Sequence, residues 1–379
     1  MMASTITPDA ASDAAFMDRA LGLATRGDAL TSPNPMVGAV LVRNQQIVGE
    51  GFHAYEGKKH AEIVALDAAG DSARGATLYI NLEPCCHTGR TGPCTQALIA
   101  AGVTRVVAAM ADPNPDVAGR GFQQLRAAGI KVNIGLREAE SQRLNESFAK
   151  WINTHTPFVT LKSALTLDGQ LVLPHPRNHA RRLKQRWITS EESRAEVQRM
   201  RHASDALLSG IGTILIDDPL LTDRTGLPRR RKLLRVVMDS HLRLPLKSKL
   251  VRSAGDDVLV FTRVREDSPK ARALRRAGVE VVRLAGRGAS PDLRSVMAEL
   301  GRREILSVLL ESGATLNSAA LAAGIVDKMR LFYAPMVAGF PAAKKGATSA
   351  VKGFRAALEL QNVTMAQFGP DFAVEGYLK

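Results

Sequence analysis

All three cysteines of this 379-residue chain, Cys85, Cys86 and Cys94, fall within one ten-residue stretch. A disulfide framework needs its cysteines spread along the chain, so this cluster reads as local metal or thiol chemistry. His60-Ala61-Glu62 opens one expected helix, and the loop from Pro84-Cys85 to Cys94 leads into another. Helix N-termini carry unpaired N–H groups that favour thiolates. Three N/S donors, His60, Cys85 and Cys94, leave one tetrahedral position for water, as in a catalytic zinc site, whereas a closed structural knot wants four protein ligands. Zinc lowers the pKa of such a water, and Glu62, two residues after His60, is the carboxylate placed to take its proton.

Length and charge bound the rest. At 379 residues two domains are the natural expectation, and 45% apolar residues can supply a core to each. No window approaches 18 uninterrupted apolar residues, and the polar start MMASTITPDAASDAA lacks the regions of a signal peptide. The chain therefore reads as cytoplasmic, with no membrane partner. Its net charge of +14 raises nucleic acid as a partner, but residues 1–150 hold 14 basic and 15 acidic side chains, leaving 37 basic and 22 acidic to the remainder. The first half has no basic field for a polyanion; the second could welcome a compact phosphorylated ligand.

The apolar pattern alternates throughout. Expected elements of the first half are a helix over 14–26 with Asp13 as N-cap, a hairpin from Met36–Val42 and Gln46–His53, a helix over His60–Ala69 and a strand over Ala76–Leu82. Thr95–Ala101 reads as helical, Val103–Met110 as a strand, and Gly121–Ala128 and Lys131–Ile134 continue the alternation. A boundary near Lys150–Pro157 divides domains at 1–152 and 153–379. Beyond it come strand Phe158–Leu161, helix Glu191–His202, strands Ala206–Ser209, Leu234–Asp239 and Val258–Thr262, helix Ser268–Ala277 and strand Val279–Leu284. Helix Pro291–Leu300, strand Ser307–Glu311 and helix Leu316–Ala323 follow. Basic runs Arg181–Arg186 and Arg229–Lys232 fall in presumed loops. This is an α/β chain in both halves, without internal repeats or a G-x-G-x-x-G dinucleotide fingerprint.

The His-x-Glu and Pro-Cys pattern resembles the signature of zinc deaminases, in which the glutamate moves protons to the ring nitrogen and the departing amine. That signature favours Cys85 over Cys86 as ligand. The loop Pro84–Cys94 is longer than in nucleoside deaminases. Together with Pro33-Asn34-Pro35-Met36-Val37-Gly38, Gly51-Phe52-His53, Asp112-Pro113-Asn114-Pro115 and Gly119-Arg120-Gly121, it resembles the bifunctional riboflavin-biosynthesis deaminase/reductases. The resemblance implies a cytidine-deaminase-like α/β/α domain acting on a pyrimidine that bears a ribosylamino 5-phosphate. Asn34, His53, His87, Arg90 and Thr91 would surround that substrate; Asn offers paired donor and acceptor atoms, and Arg a fork for phosphate.

The second half resembles the reductase of the same family, which implies a dihydrofolate-reductase-like α/β fold using NADPH. The matching stretches include Lys162-Ser163-Ala164, Leu167-Asp168-Gly169, Trp187-Ile188-Thr189-Ser190, Asp217–Arg224, Met238-Asp239-Ser240 and Glu311–Asn317. By resemblance Ala164, Trp187, Thr213, Asp217, Ser240 and the turn Gly313, Ala314, Thr315, Leu316, Asn317, Ser318 and Ala319 lie at the cofactor. Arg201, Leu221, Arg224 and Glu311 lie at the substrate, and Lys162 and Asp217 do the polar work of reduction. Read without the family, Trp187 and Leu221 are core residues and Asp217-Asp218 a helix-free turn. The segment Gln170–Arg186 is longer than the family's connection, with Gln185 where a serine is expected.

Three functions compete. One is a two-step enzyme with zinc and NADPH; another is a base deaminase on RNA with a basic docking half; the third is a deaminase with a non-catalytic second domain. A homo-oligomer is compatible with each.

Overall fold

The computed structural model describes residues 8–55, 59–86, 92–171, 187–284, 291–339 and 357–379. The chain divides into two compact units, Met1–His155 with Pro228–Arg231, and Thr156–Leu227 with Lys232–Lys379. Most of the basic run Arg229–Lys232 thus groups with the first unit. Among the described residues no helix is long and apolar enough to cross a membrane.

The first unit is a five-stranded sheet, β1 (Gly38–Arg43), β2 (Gln46–Phe52), β3 (Thr77–Leu82), β4 (Arg105–Met110) and β5 (Lys131–Ile134), in the order β2-β1-β3-β4-β5. β1 runs antiparallel to β2 and β3, whereas β3, β4 and β5 are parallel. Alternation along the strands builds a core on each face. Ala39, Leu41, Leu78 and Ile80 pack with Ala61 and Ala65 of α2 (Ala61–Ala69), Leu98 of α3 (Cys94–Ala100) and Phe122 and Leu125 of α4 (Arg120–Ala127). Val40, Val42, Tyr79 and Val107 face Met17, Ala20 and Leu23 of α1 (Pro8–Ala24) instead. These are the three layers expected.

Helix α2 lies directly on β2. A Cβ on Gly51 would stand 2.4 Å from the Ala61 carbonyl oxygen, so glycine there sets how deeply the N-terminus of α2 sits. One expectation fails in this unit, and two helices were missed. Helix α1 begins at Pro8, so Asp13 lies inside it; its carboxylate pairs with Arg105 at 2.6 Å and accepts the Tyr79 hydroxyl at 2.5 Å. Helices α5 (Glu138–Leu144) and α6 (Glu146–Thr154) were not anticipated.

The second unit is a nine-stranded sheet in the order β10-β9-β8-β7-β11-β6-β12-β14-β13. Its strands are β6 (Phe158–Thr166), β7 (Ala206–Gly210), β8 (Leu234–Met238), β9 (Val258–Thr262), β10 (Val279–Arg283), β11 (Ser307–Glu311), β12 (Lys328–Ala334), β13 (Leu360–Phe368) and β14 (Asp371–Leu378). Neighbours from β10 to β12 are parallel, and β14 is antiparallel to β12 and β13. One face packs on helices Leu293–Arg302 and Ala314–Ala322, the other on Ile211, Ile214 and Leu274. From β7 the sheet grows outward through β8, β9 and β10, after which β11 inserts between β7 and β6. That reversal creates a switch point, and in open α/β sheets ligands bind outside the carboxyl ends of the strands at such a point. Sequence reading missed β12–β14 and the helix Ile211–Asp217, which makes Asp217 a helical residue rather than part of a helix-free turn.

Candidate functional site

In the first unit, His60 is the N-cap of α2, Cys94 is the first residue of α3, and Cys85 follows the end of β3. His60 Nδ1 lies 3.4 Å from Cys85 Sγ and 3.3 Å from Cys94 Sγ, and the three ligand atoms all fall within 4.8 Å of one another. Bonds of about 2.0–2.3 Å at tetrahedral angles put neighbouring ligand atoms about 3.6 Å apart. The observed spacing and the soft N/S donor set therefore fit zinc. Cys86 stands outside this group.

Backbone and side-chain donors tune the sulfurs. The Cys94 N–H donates to Cys85 Sγ at 3.4 Å. The Cys94 thiol, the His60 ring and that N–H pull the Cys85 thiol down to about 4, while the bond to Cys85 pushes the Cys94 thiol up. Glu62, in the first turn of α2, is 3% exposed. Burial pushes its carboxyl up to about 7, with the negative charge of Cys85 adding to the rise.

His53 and Asn34 flank this cluster. The His53 ring packs edge-on to His60 with centroids 5.5 Å apart. Its Nδ1 lies 2.9 Å from the Lys59 carbonyl oxygen, which can only accept, so Nδ1 carries the proton and Nε2 accepts from Asn34 Nδ2 at 3.0 Å. Burial lowers the His53 pKa and keeps the ring neutral. His87, Arg90 and Thr91 lie outside the described residues, as does the segment 172–186 with Gln185.

Sequence reading missed what holds Asn34. Asn81 and Asn145 both donate to the Met36 carbonyl oxygen at 2.9 Å, and each also accepts a backbone N–H of the same loop, from Gly38 at 2.9 Å and Met36 at 2.8 Å. Two buried amides thus clamp the strand entry that carries Asn34.

In the second unit, three of the resemblance-implied residues, Lys162, Arg201 and Glu311, come together. Lys162 and Glu311 are register partners on β6 and β11. Arg201 makes two bonds to Glu311, 2.7 and 2.9 Å, and Lys162 Nζ stands 3.9 Å from the same carboxylate. Burial raises the Glu311 pKa, but Arg201 and Lys162 outweigh it and hold the group below its ordinary value; burial lowers that of Lys162. Among the described ion pairs Lys162 is joined to Glu311 and not to Asp217, which is exposed at the end of its helix. Leu221 is buried at 4%, as in the core reading, whereas Trp187 is 53% exposed beneath the Arg194 guanidinium. Arg224 is exposed and adds to the positive field on Glu311. Ala164, Thr213 and Ser240 are half-buried around the strand ends. Gly313, Ala314 and Thr315 expose the N-terminus of the helix Ala314–Ala322, with open space where a Gly313 Cβ would be. Leu316, Ser318 and Ala319 continue that helix, and Asn317 is buried with its Oδ1 unpartnered. A missed pair, the buried His202 and the half-buried Asp223, meets at 2.8 Å.

Sequence models of two families match the chain. The cytidine and deoxycytidylate deaminase zinc-binding region covers residues 10–110, and the RibD C-terminal domain covers 157–374. The riboflavin biosynthesis protein RibD of Synechocystis is 41% identical over 97% of this chain and 96% of its own. The chain belongs to the RibD family. RibD of Escherichia coli is 42% identical over 86% of this chain and 89% of its own. Among solved structures, Acinetobacter baumannii RibD has a TM-score of 0.81 at 36% identity, covering 97% of this chain and 99% of that one. A Thermotoga maritima diaminohydroxyphosphoribosylaminopyrimidine deaminase/5-amino-6-(5-phosphoribosylamino)uracil reductase has a TM-score of 0.79 at 34% identity, with 97% and 99% covered. As a RibD protein the chain is a bifunctional deaminase/reductase of riboflavin biosynthesis, with a zinc-binding deaminase domain followed by a reductase domain.

Proposed function

We propose that the first unit hydrolytically deaminates 2,5-diamino-6-(ribosylamino)pyrimidinone 5-phosphate, and that the second reduces the ribosyl group of the product to a ribityl chain with NADPH. The observation that carries the first step is the convergence of His60, Cys85 and Cys94 beside the buried Glu62. His60, Cys85 and Cys94 would hold zinc, which would acidify the hydrolytic water. Glu62 takes a proton from that water and delivers protons to the ring nitrogen and the leaving amine. Asn34, oriented by His53, reads the pyrimidine edge.

In the second unit NADPH supplies the reducing equivalents. Ala164, Trp187, Thr213, Ser240 and residues 313–319 would hold it, and the exposed helix N-terminus at Gly313–Ala314 offers N–H groups suited to phosphate. Arg201, Leu221, Arg224 and Glu311 lie at the substrate, and Lys162 and Asp217 handle the proton. Open space at Gly313 and the unpartnered Asn317 Oδ1 support a ligand there. Ammonia release and NADPH consumption by the purified chain test both halves.

A further inference from the structure

Glu83 is 3% exposed, and backbone amides meet both of its oxygens. Oε1 accepts from Gly121 at 2.8 Å and Phe122 at 3.2 Å; Oε2 accepts from Gly119 at 2.8 Å and Asp112 at 3.1 Å. Three of these donors belong to the start of α4, a helix whose own N-cap, Gly119, provides no side-chain bond. A helix N-terminus leaves its first N–H groups unpaired and favours negative charge. Glu83 supplies that charge from the end of a strand.

The same contact reaches the metal cluster. Gly121 is seated so closely on the Pro84–Cys85 peptide that a Cβ would stand 2.2 Å from the Pro84 carbonyl oxygen. The next residue is Cys85, whose carbonyl oxygen accepts the Thr95 N–H at 3.2 Å, and the Thr95 hydroxyl donates to Gln124 of α4 at 2.8 Å. Helix α4 therefore grips the backbone beside each cysteine, through Glu83-Pro84 on one side and Thr95 on the other.

We propose that Glu83 is a positioning residue for the metal centre: by holding the N-terminus of α4 it sets Cys85 relative to Cys94 and His60. This rests on the ligand set proposed above. Both oxygens are needed as acceptors, so the isosteric glutamine would turn an NH₂ group toward two N–H donors and lose the arrangement despite matching its shape.

The test compares zinc-loaded wild type, Glu83→Gln, Gly121→Ala and, as a packing control in the same helix, Leu125→Ala, at a temperature where circular dichroism finds each folded. Zinc release to a chromophoric chelator and the absorption of the cobalt-substituted proteins are read. Zinc should leave Glu83→Gln roughly 10–100-fold faster than wild type, the range for losing a group that orients a ligand, with a shifted cobalt spectrum. Gly121→Ala, which pushes on Pro84 from the helix side, should move both readouts the same way even if the glutamine variant does not fold. Leu125→Ala should lower the melting temperature alone. Zinc-loaded wild type with unchanged release from Glu83→Gln and Gly121→Ala overturns the positioning role by itself. A wild type that takes up no zinc overturns the ligand set and this proposal with it.

Discussion

The Asn34 amide donates to His53 Nε2 at 3.0 Å while His53 Nδ1 donates to the Lys59 carbonyl, a chain of two bonds that fixes which face of the amide is left to read a substrate. His53→Ala should release that orientation. We expect deamination kcat/KM to fall roughly 10–100-fold, the scale of one or two buried hydrogen bonds, with zinc content unchanged. Loss of zinc in this variant would instead mark His53 as part of the metal shell.

Glu62 is two positions from His60 yet is assigned protons rather than metal. Glu62→Gln should retain about one zinc per chain by metal analysis while deamination falls by roughly 10²–10⁴-fold, as for a lost general acid/base. Near-normal turnover would contradict the assignment.

The three cysteines should separate cleanly. Cys86→Ser keeps metal and activity in this account, because Cys86 stands outside the His60, Cys85 and Cys94 group. Cys85→Ser and Cys94→Ser should each weaken zinc binding by roughly 10-fold or more in chelator competition. Equal damage from all three would redraw the ligand set.

Stability at acid pH follows from Glu311. Arg201 and Lys162 hold its pKa below the ordinary 4.5, so as pH falls through the mid-4s the unfolded chain takes up this proton first. Its contribution is present above that range and is lost as pH drops through the depressed folded value. Glu311→Gln should be less stable than wild type near pH 7 by about 3 kcal/mol, since two buried cations lose their partner. In urea melts the gap should narrow below about pH 4. A gap constant from neutral to acid pH would show that Glu311 acts by packing alone.

How much of this was legible in the sequence depended on where each residue's partners lie. His60, Glu62 and Cys94 at helix starts and Cys85 just past a strand announce themselves because metal chemistry demands those side chains together, and the continuous apolar runs of β1 and β3 mark strands covered on both faces. Asn81, Asn145 and Glu83 leave no trace, since each satisfies backbone groups tens of residues away, and an isolated Asn or Glu looks solvated. Asp13 resembled an N-cap by residue type, but its partners Tyr79 and Arg105 lie on strands far along the chain. Helix α5 buries only Ser141, and β13 is exposed along most of its length, so neither carries an apolar period to detect. Strand register sets Lys162 beside Glu311, a neighbour nearly 150 positions away that residue type alone does not reveal.

The most direct test of the account gives the purified zinc-loaded chain 2,5-diamino-6-(ribosylamino)pyrimidinone 5-phosphate and follows ammonia and NADPH together. Ammonia should appear without NADPH, and on adding NADPH its oxidation should match the ammonia released, one for one; Asp217→Asn should abolish the second signal and spare the first. No ammonia from the zinc-loaded chain, or no NADPH oxidation when the authentic deaminated intermediate is supplied, would contradict the account.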